Sequence, residues 1–377
     1  MDGQQGADAR ASQDEILTGD AEGKVFAGAR SLHAGLIGEG RMSMNGGDAA
    51  KSLRYNEVSK ATLARGARVL ATQTIVEEIE DLKQSRRAMI LAHHYQDPEI
   101  QELADAVGDS LELARAARDF AGDVIAFCGV WFMAETAKVL NPERVVVAPD
   151  REAGCSLVDA CPVEQLRAWK AANPGYTIVS YVNTSVEVKA ESDILCTSRN
   201  AVRIVNSIPR EQPVLFLPDL NLGNYVREQT GRENMKIWQG TCIVHATFAA
   251  RKVAAARAEH PTALVAAHPE CTQDVLQMAD FIGSTSAIVD WCATQEAREF
   301  IVITESGVRY SLERHAPGKI FHFIANEQCN CSECPYMKRN TLEKLRDALR
   351  DLTPRVELPA EIMERARRPI ERMLAVK

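Results

Sequence analysis

Ala88-Met89-Ile90-Leu91-Ala92 runs without a break into His93-His94-Tyr95. Five apolar residues followed at once by polar rings form the pattern of a buried strand whose carboxyl end delivers side chains to a site. The arrangement returns twice. An apolar run from Thr177 ends in Tyr181-Val182-Asn183, and one from Leu264 ends in His268-Pro269-Glu270. After each run a helical stretch leads to a hydroxyl residue at a turn: Ser110, then Ser198, then Ser284-Thr285. The separations are 17 residues from His93 to Ser110, 15 from Asn183 to Ser198 and 16 from His268 to Ser284. Each unit closes on a strand heading for cysteine. Val145–Ala148 leads to Cys155, Met235–Trp238 to Cys242, and Ile320–Ile324 to the Cys329, Cys331, Cys334 group.

Working outward, 87 residues separate Cys155 from Cys242 and 92 separate Cys242 from Cys334, which reads as three copies of one α/β unit. Further short apolar runs, Val124–Phe127, Val214–Leu217 and Phe300–Ile303, alternate with helical segments such as Ile100–Val107, Leu111–Phe120 and Ala201–Ile208. Such alternation predicts parallel sheets covered on both faces. The expected division is a flexible extension over 1–74, a first repeat over 75–154 completed by 335–377, a second over 155–241 and a third over 242–334. Ten of the 22 glycines fall in the first 50 residues, where hydrophobic periodicity is poor, hence the flexible extension. Functional groups gather at the carboxyl ends of parallel strands, so three such ends about a pseudo-threefold axis predict one central site.

Composition narrows the function classes. At 377 residues and 46% hydrophobic, the chain can bury real cores. A formal charge of −8 argues against a nucleic-acid binder, which needs a basic face. No apolar run has the length of a membrane span. Asp2, Asp8, Asp14 and Glu15 are foreign to a secretory or organellar leader. Ten cysteines without an export signal point to a reducing, cytoplasmic setting where they are thiols or metal ligands. Most should be small buried hydrophobes, and Cys128, Cys196 and Cys292 sit within or beside apolar runs as such residues do.

Cys155 and Cys242 instead lie in glycine-containing loops, and Cys329-Asn330-Cys331-Ser332-Glu333-Cys334 fits neither the usual zinc nor the usual ferredoxin spacing. One cysteine per repeat could hold a four-iron cluster and leave one iron free as a Lewis acid, useful where hydroxide must depart. His93, His245 and His268 fall at convergent places, and Glu270 is placed for acid–base work. Ser110, Ser198, Ser284 and Thr285 are expected to cap helices, and three helix starts about one axis would suit a substrate with carboxylates or phosphate.

The motifs Ile90-Leu-Ala-His-His-Tyr-Gln96, Val107-Gly-Asp-Ser-Leu-Glu-Leu-Ala-Arg115, Tyr181-Val-Asn183, Pro218-Asp-Leu-Asn-Leu-Gly223, His268-Pro-Glu-Cys271, Gly283-Ser-Thr-Ser286 and Cys334-Pro-Tyr-Met337 resemble those of the quinolinate synthase family. The resemblance covers about residues 75 to 377. It implies three similar α/β/α sandwich domains around a central [4Fe–4S] cluster. It also implies condensation of iminoaspartate with dihydroxyacetone phosphate to quinolinate, phosphate and two waters, in NAD biosynthesis. Functional coupling to L-aspartate oxidase, as the source of iminoaspartate, belongs to the same expectation. Carried over by motif, the cluster ligands are Cys155, Cys242 and Cys334. Tyr95, Glu270 and His245 are the catalytic groups, and His93, Ser110, Tyr181, Asn183, Ser198, His268, Ser284 and Thr285 the substrate contacts. His94 stands where some members carry Asn and receives no role; Cys329 and Cys331 are a candidate redox pair. The alternative is an iron–sulfur hydro-lyase acting on another hydroxy acid.

Overall fold

The computed structural model describes residues 73–325 and 332–376. The expected extension over 1–74 therefore lies outside the described residues but for its last two, as do Cys329 and Cys331. The described chain opens in a helix over residues 73–85.

Among the described residues the strands form three sheets of four. The first holds β1 (Ala88–His93), β2 (Ala106–Gly108), β3 (Val124–Cys128) and β4 (Val145–Val147). The second holds β5 (Thr177–Tyr181), β6 (Ile194–Cys196), β7 (Val214–Leu217) and β8 (Met235–Ile237). The third holds β9 (Leu264–Ala267), β10 (Phe281–Ile282), β11 (Glu299–Ile303) and β12 (Ile320–Phe323). Every pairing is parallel, and each sheet has the same order, second strand, first, third, fourth. The α/β class and the three similar layered units are thus as expected.

The second strand of each unit escaped the sequence reading, because two or three residues carry no periodicity. An aspartate fixes it each time. The backbone N–H groups of Ile90, Ile178 and Val265, on the first strands, each donate to an aspartate carboxylate at 2.8 Å: Asp105, Asp193 and Asp280. Each aspartate N–H returns a bond to the same residue's carbonyl. This clamp also corrects the helix expected over Ile100–Val107: it ends at Leu103, and Asp105 turns the chain into β2.

Alternate strand residues face two different cores, as a doubly covered sheet requires. Ile90, Ala92 and Ala126 pack outward with Ile79, Leu345 and Leu349. Ile178 and Leu215 pack outward with Leu166, and Val265 and Ile301 with Val253. The opposite faces, carrying Leu91, Phe127, Val179, Phe216, Ala266 and Phe300, belong to one shared inner cluster. The last helix, Ala360–Ala375, seals the seam between the first two units by packing Ala366, Ile370 and Met373 on Leu111, Val139, Val186 and Leu195. No helix among the described residues is long and apolar enough to cross a membrane.

Candidate active site and cysteine centre

The carboxyl ends of the three sheets meet at one pocket, with a cavity volume of about 80 Å³. Strand register shows how it is built. His93 pairs with Gly108, Tyr181 with Cys196, and Ala267 with Ile282, which puts His268 level with Gly283. The counterpart of His93 and His268 is therefore Tyr181, not Asn183. With that correction, the hydroxyl residues Ser110, Ser198 and Thr285 each lie 17 residues downstream of the equivalent strand end. Tyr95, Asn183 and Glu270 are equivalent in turn, each two residues past it. All nine of these side chains line the pocket.

Ser284 does not. Its hydroxyl caps the helix Thr285–Thr294, accepting from Ala287 N–H at 3.3 Å and donating to Asp109 at 3.0 Å. The capping expected of the other hydroxyl residues also fails. Asp109 caps the helix Ser110–Asp119 by accepting from Leu111 and Glu112 N–H, which leaves Ser110 as the first helical residue with its hydroxyl at the pocket. Thr285 likewise follows its cap, and Ser198 sits in a turn before a helix that starts only at Ala201. A carboxylate is a stronger acceptor for helix N–H groups than a hydroxyl. The Ser110 hydroxyl is thereby released toward the pocket, and Thr285 is released because Ser284 takes the capping position of its helix.

Behind this wall the units are tied by charge. Arg199, next to Ser198, reaches Glu112 at 2.5 Å, Asp109 at 3.8 Å and Asp290 at 3.7 Å, so one guanidinium joins all three repeats. His94 is buried here, bonded to Ser286 at 3.0 Å and Ser311 at 2.8 Å. Neither Arg199 nor Asp109 was singled out from sequence.

A continuous hydrogen-bonded chain crosses the pocket. Tyr181 Oη donates to Glu270 Oε1 at 2.5 Å, and His245 Nδ1 stands 3.0 Å from Glu270 Oε2. His245 Nε2 meets Thr304 Oγ1 at 2.9 Å, and Thr304 Oγ1 meets Tyr95 Oη at 2.8 Å. Thr285 Oγ1 also meets Tyr95 Oη, at 2.8 Å. Burial opposes the charge on Glu270, but the His268 and His245 imidazoles and the two hydrogen bonds hold its carboxyl down to about 2. Burial drives the Tyr95 phenol well above its ordinary value and keeps it protonated. His93 and His268 stay neutral for the same reason, the latter lowered to about 3. Their Nδ1 atoms accept the backbone N–H two residues on, from Tyr95 at 3.2 Å and Glu270 at 3.4 Å, so Nε2 carries the ring proton. One end of the Asn183 amide is buried without a partner. Thr304, at the hub of the chain, is one residue past β11 and gave no sequence signal.

The eight described cysteines are thiols and sort cleanly. Cys128, Cys161, Cys196, Cys271 and Cys292 are buried in apolar cores, whereas Cys155, Cys242 and Cys334 are partly exposed and line the pocket. Each of those three opens a short helical turn and accepts from its N–H groups: Leu157 and Val158 on Cys155, His245 on Cys242, Met337 and Tyr336 on Cys334. Burial first, and then Glu270 or one another, push these thiols up, Cys155 to about 12 and Cys334 to about 11. A place where three thiolates repel each other, yet each has amide donors waiting, is matched to a positively charged metal group. Two further carboxylates brace the loops from below. Glu305 accepts Cys334 N–H at 3.0 Å, and Asp219 accepts Cys242 N–H. Both occupy the same register position, two residues past the third strand. Burial raises both, Glu305 to about 7.

Fold and site together define a class: three parallel-sheet units closing on one pocket, which is lined by a buried hydrogen-bonded chain of polar side chains and by three thiols. The family model of quinolinate synthetase A protein matches residues 77–375. A quinolinate synthase of Nostoc sp. is 53% identical over 299 residues, 78% of this chain and 91% of its own length. That of Thermosynechococcus vestitus is 51% identical over 302 residues, 80% and 94% of the two chains. That of Chloroherpeton thalassium is 47% identical over 319 residues, 84% and 99%. The chain belongs to the quinolinate synthase family of enzymes.

Proposed function

We propose that the chain condenses iminoaspartate with dihydroxyacetone phosphate to quinolinate, releasing phosphate and two waters, as a step of NAD biosynthesis. One observation carries this reading: the pocket in which Cys155, Cys242 and Cys334 converge also holds the Tyr181–Glu270–His245–Thr304–Tyr95 chain. The three cysteines are the proposed ligands of a [4Fe–4S] cluster. No fourth cysteine lines the pocket among the described residues. When bound, such a group supplies a Lewis acid at its non-cysteine iron, able to polarise a substrate oxygen or nitrogen.

The protein's own groups would do the rest. Ser110, Ser198 and Thr285, with the N–H groups of the helix starts at Ser110 and Thr285, would hold phosphate and carboxylates by hydrogen bonds to anions. Neutral His93 and His268 would donate from Nε2, and Asn183 would fix one further polar group. Glu270, ionised, would take the proton from the acidic carbon beside the imine or ketone. The chain through His245 and Thr304 would carry a proton to Tyr95, whose protonated phenol would deliver it to a departing hydroxyl. L-aspartate oxidase is the proposed source of the short-lived imine, and the cytoplasm the proposed setting.

Anaerobic purification followed by iron and sulfide analysis, and an assay with both substrates, tests the reading. The expected result is about four irons and four sulfides per chain, with quinolinate formed. A cluster-bearing chain that dehydrates some other hydroxy acid and makes no quinolinate would overturn it.

A further inference from the structure

At the other end of the third sheet lies a second group of metal-binding side chains, well apart from the pocket in sequence and in the fold. β11 starts at Glu299, and Glu299, Ile301 and Ile303 alternate onto the outer face. On the neighbouring edge strand β12, His322 pairs with Ile301 and so shares that face, diagonal to Glu299. The helix Ala250–Glu259 covers the face through Val253 and ends at His260. Register and helix length thus bring one carboxylate and two imidazoles together at the amino end of the sheet.

The local geometry is specific. The rings of His260 and His322 stack with centroids 3.6 Å apart and planes 16° from parallel. His322 Nε2 is buried without a hydrogen-bond partner, and Glu299 Oε2, 4.0 Å away, is too distant to be one. One ligand atom from each of the three residues lies within 4.8 Å of the others. An unsatisfied buried nitrogen beside a carboxylate is costly unless something sits between them. The side chains are only 25%, 27% and 35% exposed for His322, His260 and Glu299, so the cluster is a recess open on one side. Glu259 Oε1, 4.0 Å from His260 Nε2, stands ready as a further oxygen donor. The end of a ten-residue helix adds the partial negative charge of its last carbonyls. Arg309, whose charge acts on His322, sits over the Phe323 ring and 3.7 Å from Glu313.

We propose that His260, Glu299 and His322 form a binding site for one divalent transition-metal ion, zinc above all, that fastens the end of helix Ala250–Glu259 to β11 and β12. Two imidazoles and a carboxylate select zinc, or cobalt and nickel, over the oxygen-seeking magnesium and calcium. Tetrahedral zinc sets donors ~3.4 Å apart, so binding would draw together ligand atoms that now lie within 4.8 Å of one another and would turn the stacked His260 and His322 rings out of parallel. Because β12 leads toward Cys334, eleven residues beyond Phe323, the ion would steady the strand that feeds one cysteine loop.

The test titrates the full chain, its cysteine pocket loaded with iron, with zinc chloride under anaerobic conditions, alongside His260→Asn, His322→Asn and Glu299→Gln. Bound zinc and iron are counted per chain after gel filtration, and the thermal midpoint is read with and without zinc. The expected result is one zinc beyond any taken by the variants, with iron unchanged and a zinc-dependent rise of the midpoint only in the parent. Loss of any one ligand should weaken zinc at least ~100-fold. Equal zinc uptake by the parent and by His260→Asn, whose side chain is partly exposed and whose fold is checked by circular dichroism, overturns the proposal. So does zinc uptake only at the expense of iron. Absence of iron bears on the cluster reading instead, and the difference between parent and variants decides this site in either case.

Discussion

The two walls of the pocket are made by different rules. The hydroxyl wall comes from first and second strands, and each of its positions lies 17 residues from its partner strand end in all three repeats. The cysteine wall comes from loops after the fourth strands. There the cysteine stands 7 residues beyond Ala148, 5 beyond Ile237 and 11 beyond Phe323, three residues at one register. Strand register permits no slack, since a one-residue slip would turn every side chain to the wrong face. A loop has only to bring one sulfur to a point, and its length is free. The sheet fixes one wall, and the other is expected to depend on what it holds.

Replacing a cysteine should break that comparison most sharply. Cys155→Ser, Cys242→Ser or Cys334→Ser should abolish iron retention and activity, while Cys161→Ser, at a buried site in the second unit's outer core, should keep both. Iron per chain after anaerobic reconstitution reads the difference. Full iron in Cys155→Ser would mean that the three loops do not act as one ligand set.

Glu270→Gln lies on the other side of the divide. It should keep the iron and lose about 10²–10⁴-fold in kcat, the usual contribution of a positioned acid–base group. Thr304→Val should follow with a smaller loss. It removes the hydroxyl that joins His245 to Tyr95 and leaves both rings in place. One internal hydrogen bond with a buried partner left unsatisfied costs ~1–3 kcal/mol, or about 5–150-fold. A purely structural threonine would lower stability without altering the pH profile of kcat; a relay threonine should alter the profile while KM stays near its parent value. Activity within twofold of the parent would remove Thr304 from the chain.

How much was legible follows the same divide. Apolar runs ending in His93, Tyr181 and His268 announced the sheets and the strand ends that line the pocket, because burial on both faces leaves a continuous apolar signature. The short second strands left none, although Ala104-Asp105, Ser192-Asp193 and Ala279-Asp280, each five residues before the hydroxyl, would have marked them. Using those aspartates would also have aligned Tyr181 with the histidines. The cysteine loops defeated spacing outright, as loops of unequal length must, and only the family resemblance separated Cys155 from Cys161. Thr304, Asp219 and Glu305 were illegible because each acts through a partner distant in sequence. Arg199 was hidden for the same reason: its meaning lies in Asp109, Glu112 and Asp290, on two other repeats.

The aspartate clamps allow the smallest and most discriminating test of the rigid wall. Asp193→Ala removes the acceptor for Ile178 N–H, but three parallel pairings between β5 and β6 and the apolar side chains of both strands remain. Asp193 is exposed, so water can take over the freed N–H. The net cost should be that of one ordinary hydrogen bond, ~1 kcal/mol, read as a fall of about 2–4 °C in the thermal midpoint. If register is set by the alternation of apolar residues between two cores, Tyr181 and Ser198 keep their spacing and KM for both substrates changes less than twofold. If the clamp sets it, β6 slides and carries Ser198 out of the pocket, so KM rises many-fold at nearly unchanged kcat. The first outcome is expected, because Leu195 and Cys196 are fully buried on opposite faces and a slip would exchange them between two cores of different neighbours.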